Sequence, residues 1–147
     1  MNDKILDCSD LDKYLGKPIA PARMKEPLHN NDFRRWVQAM HYANLLHYDH
    51  DFAAKGRYGR LVAPQSFAVA TDDGHGAGPA CVGFIPDSHL IFGGDEWWFY
   101  GPRIFGGDQI TNEKIPFDYA VKETSFAGPT CFQRGDNNYY NQHGDYI

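Results

Sequence analysis

From Pro64 the chain reads Pro64-Gln65-Ser66-Phe67-Ala68-Val69-Ala70, and beyond the first turn every side chain is small or apolar. Proline suits the first turn of a helix, where its missing N–H would have had no partner anyway. A helix that is apolar all round has no face for water and belongs inside a domain. The remainder of the 147 residues must therefore cover it. A chain of this length leaves little room for a second core, so one domain over residues 1–147 is expected.

The covering material follows the buried helix. Leu90 to Tyr100, Gln109 to Phe126 and Thr130 to Gln142 are rich in aromatic and β-branched residues. Gly101-Pro102, Gly106-Gly107, Gly128-Pro129 and Gly135-Asp136 punctuate them, as expected of antiparallel strands with tight connections. Before the buried helix, Gly16, Pro18, Pro21 and Pro27 make residues 1–28 an extended lead-in. Asn30, Asn31 or Asp32 can then cap a helix, and Phe33, Trp36, Val37, Met40 and Ala43 recur at three- and four-residue steps. That spacing predicts an amphipathic helix over Phe33–Ala43. A loop over Asn44–Asp49 and a short helix over Asp51–Ala54, ended by Gly56, are expected next. Thr71 to Pro79, with Gly74, Gly76 and Gly78, reads as a further loop. The order is α+β: a curved antiparallel sheet wrapped around a central apolar helix. The last strand reads as cut at Ile147, so a longer natural chain is expected.

Composition narrows the function classes. An apolar fraction of 42% with 15% aromatics allows a dense core despite a mean hydropathy of -0.56. The net charge of -5 and pI near 5.7 argue against a nucleic-acid partner, which needs a basic face. A phosphorylated small molecule stays open, because two or three well-placed Arg or Lys side chains suffice to hold one. Cys8, Cys81 and Cys131 lie far apart without a Cys-x-x-Cys pair and read as reduced thiols. Residues 1–12 lack the pattern of an export signal, and no run of about 18 apolar residues suggests a membrane span, so a cytoplasmic protein is expected.

Several segments could carry chemistry. His47 and Asn44 lie in a loop between two helices, where polar groups can face a pocket, and a histidine can move a proton near neutral pH. A hydrogen-bonding or exposed histidine, and an asparagine that merely closes a turn, are the plainer readings. His41, His47, His50 and Asp49 do not have the His-x-x-x-His spacing that aligns two metal ligands on one helix face, so no metal is expected. Gly74 to Gly78, around His75, lacks the Lys-Ser/Thr of a phosphate-binding loop. In a strand, Trp97 and Phe99 would face one way and Trp98 and Tyr100 the other, one pair lining a core or pocket and the other meeting a neighbouring subunit. Asp95 and Glu96 beside them are candidate carboxylates.

Together these segments resemble the MaoC-like dehydratases and (R)-specific enoyl-CoA hydratases, in particular the amino-terminal hot-dog domain of the fatty-acid-synthase-type dehydratases. The resemblance runs from about Tyr14 to the end. The family's motif reads Asp-x-Asn-Pro-x-His, then an acidic residue, an alanine and a Gly-Arg-Ile-Val-type approach to the central helix. Asn44, Leu46, His47, Asp49 and Ala53 fit it, and Gly59-Arg60-Leu61-Val62-Ala63-Pro64 matches the approach. Arg103 to Asp108 resembles the family's turn before a strand, and Asn141-Gln142-His143-Gly144 its final strand and turn. Tyr42 stands in place of the motif's catalytic aspartate and Leu45 in place of its proline.

The resemblance implies a hot-dog fold and a lyase of fatty acid metabolism. The chain would be a subunit of an enoyl-CoA hydratase or 3-hydroxyacyl-CoA dehydratase, with an acyl-CoA thioester as substrate and no other cofactor. His47, Asn44 and Tyr42 would be the catalytic group. Pro64, Gln65 and Ser66 would receive the thioester carbonyl, with Asp95 and Glu96 as further substrate-binding candidates. A phenol is a poor base at neutral pH, its pKa being about 10, so a subunit without chemistry of its own is the alternative. It would complete the pocket of an intact MaoC-like partner. A hot-dog thioesterase using Asp95 or Glu96 is a third reading. A homodimer, or a heteromer with another MaoC-like hot-dog subunit, is implied, with neither nucleic acid nor membrane as partner.

Overall fold

The computed structural model describes residues 6–71 and 82–147. The glycine-rich loop around His75, and Cys81, lie outside the described residues. Three strands, β1 (Ile19–Arg23), β2 (Thr111–Thr124) and β3 (Gly128–Tyr140), pair in the order β1-β2-β3. Gly16 N–H donates to the Pro116 carbonyl and Met24 N–H to the Ile110 carbonyl. Partners on β2 thus descend as β1 ascends, which is antiparallel pairing. β2 and β3 form a hairpin whose tight return uses Gly128 at φ 71°, a left-handed conformation that glycine adopts without strain. The lead-in thus supplies an edge strand, and two of the three expected downstream strands form close to their expected bounds.

The described residues divide into two compact units. The first holds residues 6–21, 82–97 and 113–137, the second 22–71, 98–112 and 138–147. In the first, Leu11 and Cys8 are buried, and Gly83 at φ 100° lies against Leu11, where an added Cβ would meet the leucine side chain at 3.0 Å. Asp10 accepts from Phe84 N–H at 2.9 Å, and Asp12 accepts from the Tyr119 hydroxyl at 2.9 Å. Cys8 and Cys131 are both thiols.

The second unit carries a core of Leu28, Phe33, Ala63, Phe67, Ala68, Ile104, Ile110 and Tyr139. Helix α1 (Asn30–Ala39) buries Phe33 and Val37, and Phe33 and Trp36 meet Phe67 edge-on at 5.1 and 5.9 Å. Edge-to-face contact sets the positive rim of one ring against the negative face of the other. The helix starts earlier than its apolar spacing predicts: His29 is the N-cap, and its N–H donates to the Asp32 carboxylate at 2.8 Å. It also ends earlier. His41 turns to φ 52° and Tyr42 N–H reaches back to the Val37 carbonyl at 2.9 Å, so the helix closes before Ala43. Helix α2 (His50–Lys55) follows and ends at Gly56.

Two expectations are corrected in form. The segment after Pro64 is a 3-10 turn over Gln65–Thr71, which buries Phe67, Ala68 and Thr71 while Gln65 and Ser66 stay exposed. The Thr71 hydroxyl caps the Ala68 carbonyl at 2.7 Å. Leu90 to Tyr100 forms no regular strand. The alternation within it survives all the same: Trp97 and Phe99 are 38% and 40% exposed, against 60% and 69% for Trp98 and Tyr100. No helix among the described residues is long and apolar enough to cross a membrane.

Candidate active site

The end of α1 leads directly to His47. After the left-handed His41, Asn44 N–H donates to the Tyr42 carbonyl at 3.0 Å, and the Asn44 side chain accepts from Leu46 N–H at 3.1 Å. Asn44 is thereby the N-cap of a 3-10 turn over Leu45–His47. Asp49 caps α2 in the same manner, accepting from Phe52 N–H at 2.9 Å. Short polar side chains favour these positions because they replace a missing backbone acceptor. The two caps set the direction of the loop between them and place His47 at 6% exposure.

The imidazole of His47 is oriented by a backbone group: Nδ1 lies 2.7 Å from the Val62 carbonyl oxygen. A carbonyl oxygen can only accept, so Nδ1 carries the hydrogen and, in the neutral ring, Nε2 carries the lone pair. Val62 is itself held on two sides. Its N–H donates to the Leu46 carbonyl at 3.2 Å, and it bridges antiparallel to Phe105, while Ala63 N–H donates to the Ile104 carbonyl at 2.9 Å. The Tyr42 ring stacks on the imidazole, centroids 5.4 Å apart and planes 24° from parallel, and Tyr42 is half exposed. The tyrosine therefore covers the histidine through its ring.

Pro64 is buried and its carbonyl accepts from Phe67 N–H at 2.9 Å, which starts the 3-10 turn. The Ser66 hydroxyl accepts from the Trp36 indole N–H at 3.1 Å. A small cleft of about 20 Å³ opens here, lined by Ala63, Pro64, Gln65, Phe99, Arg103 and Ile147 among others. Asp95 and Glu96 are exposed residues of the first unit, whereas His47, Asn44, Tyr42 and Pro64 to Ser66 all belong to the second. Among the described residues no group of three His, Cys, Asp or Glu side chains is gathered so that it could hold a metal ion.

Two features of this region escape the sequence. One is the Val62 carbonyl, a backbone acceptor that no residue type announces. The other is the pair Arg103 and Tyr58, whose Nε and hydroxyl lie 3.4 Å apart. The hydrogen bond from Arg103 holds the Tyr58 phenol below its ordinary value. Arg103 was visible only as part of the turn before a strand.

The antiparallel sheet and the buried segment after Pro64 are consistent with the α+β hot-dog fold, which the similarity to solved structures shows. The chain belongs to the family described as FAS1-like, dehydratase domain region, whose profile matches residues 14–147. No curated protein matches the chain. Among solved structures it is similar to the monoamine oxidase regulatory protein of Archaeoglobus fulgius, with a TM-score of 0.67 and 14% identity over 90% of this chain and 83% of that one. It is similar to the unliganded R-hydratase PhaJ1 of Pseudomonas aeruginosa, with a TM-score of 0.60 and 18% identity over 90% and 75%. The ChsH1-ChsH2 complex of Mycobacterium tuberculosis gives a TM-score of 0.65 and 18% identity over 96% and 87%.

Proposed function

We propose that the chain is a subunit of an enoyl-CoA hydratase or 3-hydroxyacyl-CoA dehydratase. The observation that carries this reading is the buried His47, whose Nδ1–H is committed to the Val62 carbonyl, leaving Nε2 as the basic nitrogen. Fixing one ring nitrogen fixes the tautomer and aims the other. In hydration, Nε2 takes a proton from water as the water oxygen bonds to the β carbon of the enoyl thioester. The Nε2–H of the imidazolium then gives that proton to the α carbon, which restores the neutral ring, and the backbone N–H groups at Gln65 and Ser66 bind the thioester oxygen while it carries charge. Asn44 keeps the loop in register through its cap on Leu46 N–H. Asp95 and Glu96 stay candidates for substrate contact.

A second reading has its own support. Tyr42 presents a stacked ring where the family's motif has a carboxylate, which suits a subunit that shapes the pocket of an intact MaoC-like partner. Leu90, Ile91 and Phe92 are 70–77% exposed, and a patch of this kind marks a surface that another chain covers. The partner is then a second copy or another hot-dog subunit.

Hydration of crotonyl-CoA and longer enoyl-CoAs by the purified chain separates the two. Turnover that falls about a hundredfold or more in His47→Ala supports the first. Silence until an intact hot-dog partner is added supports the second. Turnover untouched by His47→Ala ends the catalytic reading.

A further inference from the structure

Asn112 lies on the central strand at 1% exposure, and neither its Nδ2 nor its Oδ1 has a hydrogen-bond partner. Other asparagines of the chain have local uses: Asn44 accepts from Leu46 N–H, and Asn141 from His143 N–H at 2.9 Å. Asn112 closes no turn, and asparagine is a poor strand former. The buried Thr71 and His47 are both met, by the carbonyls of Ala68 and Val62. A buried carboxamide with both ends open costs the fold stability without a structural return. Its placement points to a group that arrives from outside.

The surroundings say where that group comes from. Residues two apart on a strand point the same way, which puts Asn112 on the side of Ile110, whose carbonyl pairs with Met24 N–H. Ile110 is fully buried in the cluster that also holds Ala63, Phe67, Ala68 and Ile104. Ala63 follows Val62, whose carbonyl orients His47, and with Pro64, Gln65 and Ile104 it lines the small cleft. One apolar cluster therefore reaches from the cleft and the His47 loop to the strand position just before Asn112, all within the second unit. By the rise of a strand, Asn112 stands about 7 Å beyond Ile110.

We infer that Asn112 is a specificity-determining residue that selects an acyl chain carrying a hydroxyl group several carbons from the thioester. The inference rests on the reading of the chain as a thioester-binding subunit and names the kind of acyl group it takes. An acyl chain held by its thioester at Gln65 and Ser66 and laid along the cluster meets apolar side chains first and the carboxamide last. A hydroxyl both donates and accepts, so it answers Oδ1 and Nδ2 together, whereas a plain alkyl chain leaves both open. A wholly apolar slot disfavours a hydroxyl, which loses its water there. A site built to hydrogen-bond a hydroxyl rejects the analogue that lacks it.

Calorimetric titration of the full chain with hexanoyl-, octanoyl- and decanoyl-CoA, each paired with its terminally hydroxylated form, reads this preference without turnover. At the length that brings the oxygen to Asn112, the hydroxylated form should bind about tenfold more tightly than the plain one. Asn112→Leu should reverse that order while its urea midpoint rises, a gain in stability at the expense of selectivity. Asn112→Val, which is smaller and suits a strand, should reverse it too and serves if leucine does not fit. Plain chains that bind as tightly as hydroxylated ones at every length overturn the inference and leave the thioester reading standing. A hydroxyl preference that survives both substitutions in folded protein does the same. Binding of no thioester of either kind removes the thioester reading and the inference with it.

Discussion

The Val62 carbonyl orients the His47 imidazole, and Tyr42 stacks on that ring from the position where the family's motif has an aspartate. A carboxylate beside a catalytic histidine orients the ring and offsets the charge it gains. Here the orienting is done by a carbonyl oxygen 2.7 Å from Nδ1, and the position of the carboxylate holds a phenol stacked on the ring. Tyr42→Asp should therefore raise kcat/KM for crotonyl-CoA hydration by about tenfold or more, because it restores an ionised group at an already oriented imidazole. Unchanged kcat/KM in a folded Tyr42→Asp protein would mean that the reaction makes no use of this position. His47 was legible from its loop and its motif spacing. The role of Val62 was not, because the group that acts is backbone and its proximity comes from bridging to Phe105, more than forty residues on.

At the scale of elements, two substitutions separate capping from burial. Asn44→Ala removes the side-chain acceptor for Leu46 N–H and should lower stability by about 1 kcal/mol in urea unfolding. Asn112, on β2, is 1% exposed, and neither its Nδ2 nor its Oδ1 has a hydrogen-bond partner. An unmet buried polar group costs about 1–3 kcal/mol, so Asn112→Leu should raise the urea midpoint. A lower midpoint for that variant would show that the amide is satisfied in solution. Strands β2 and β3 were legible because their aromatic and β-branched runs have turn residues at both ends. Leu90 to Tyr100 has the same composition and forms no strand, since a strand needs a neighbour's backbone as well as suitable side chains.

For the molecule as a whole, the hairpin carries a charge pair that titrates. Arg134 Nε donates to Asp118 Oδ1 at 2.8 Å, and the guanidinium beside it holds the Asp118 carboxyl below the usual carboxylate range. A lowered folded-state value means that the pair stabilises the fold above the carboxylate's unfolded value and loses that contribution as pH falls through the folded one. The stability difference between the parent and Asp118→Asn should thus be present at neutral pH and close in acid. A difference that persists to the lowest pH would separate it from this titration.

Periodicity and composition alone were enough to reveal α1, the β2–β3 hairpin and the buried run after Pro64. Each depends on neighbours along the chain or on totals, and such information is local. The 3-10 form of the buried run, the inward aim of His47 and the burial of Asn112 without a partner depend on contacts between distant segments. Those contacts exist only once the chain has packed, so the tertiary structure alone decides them.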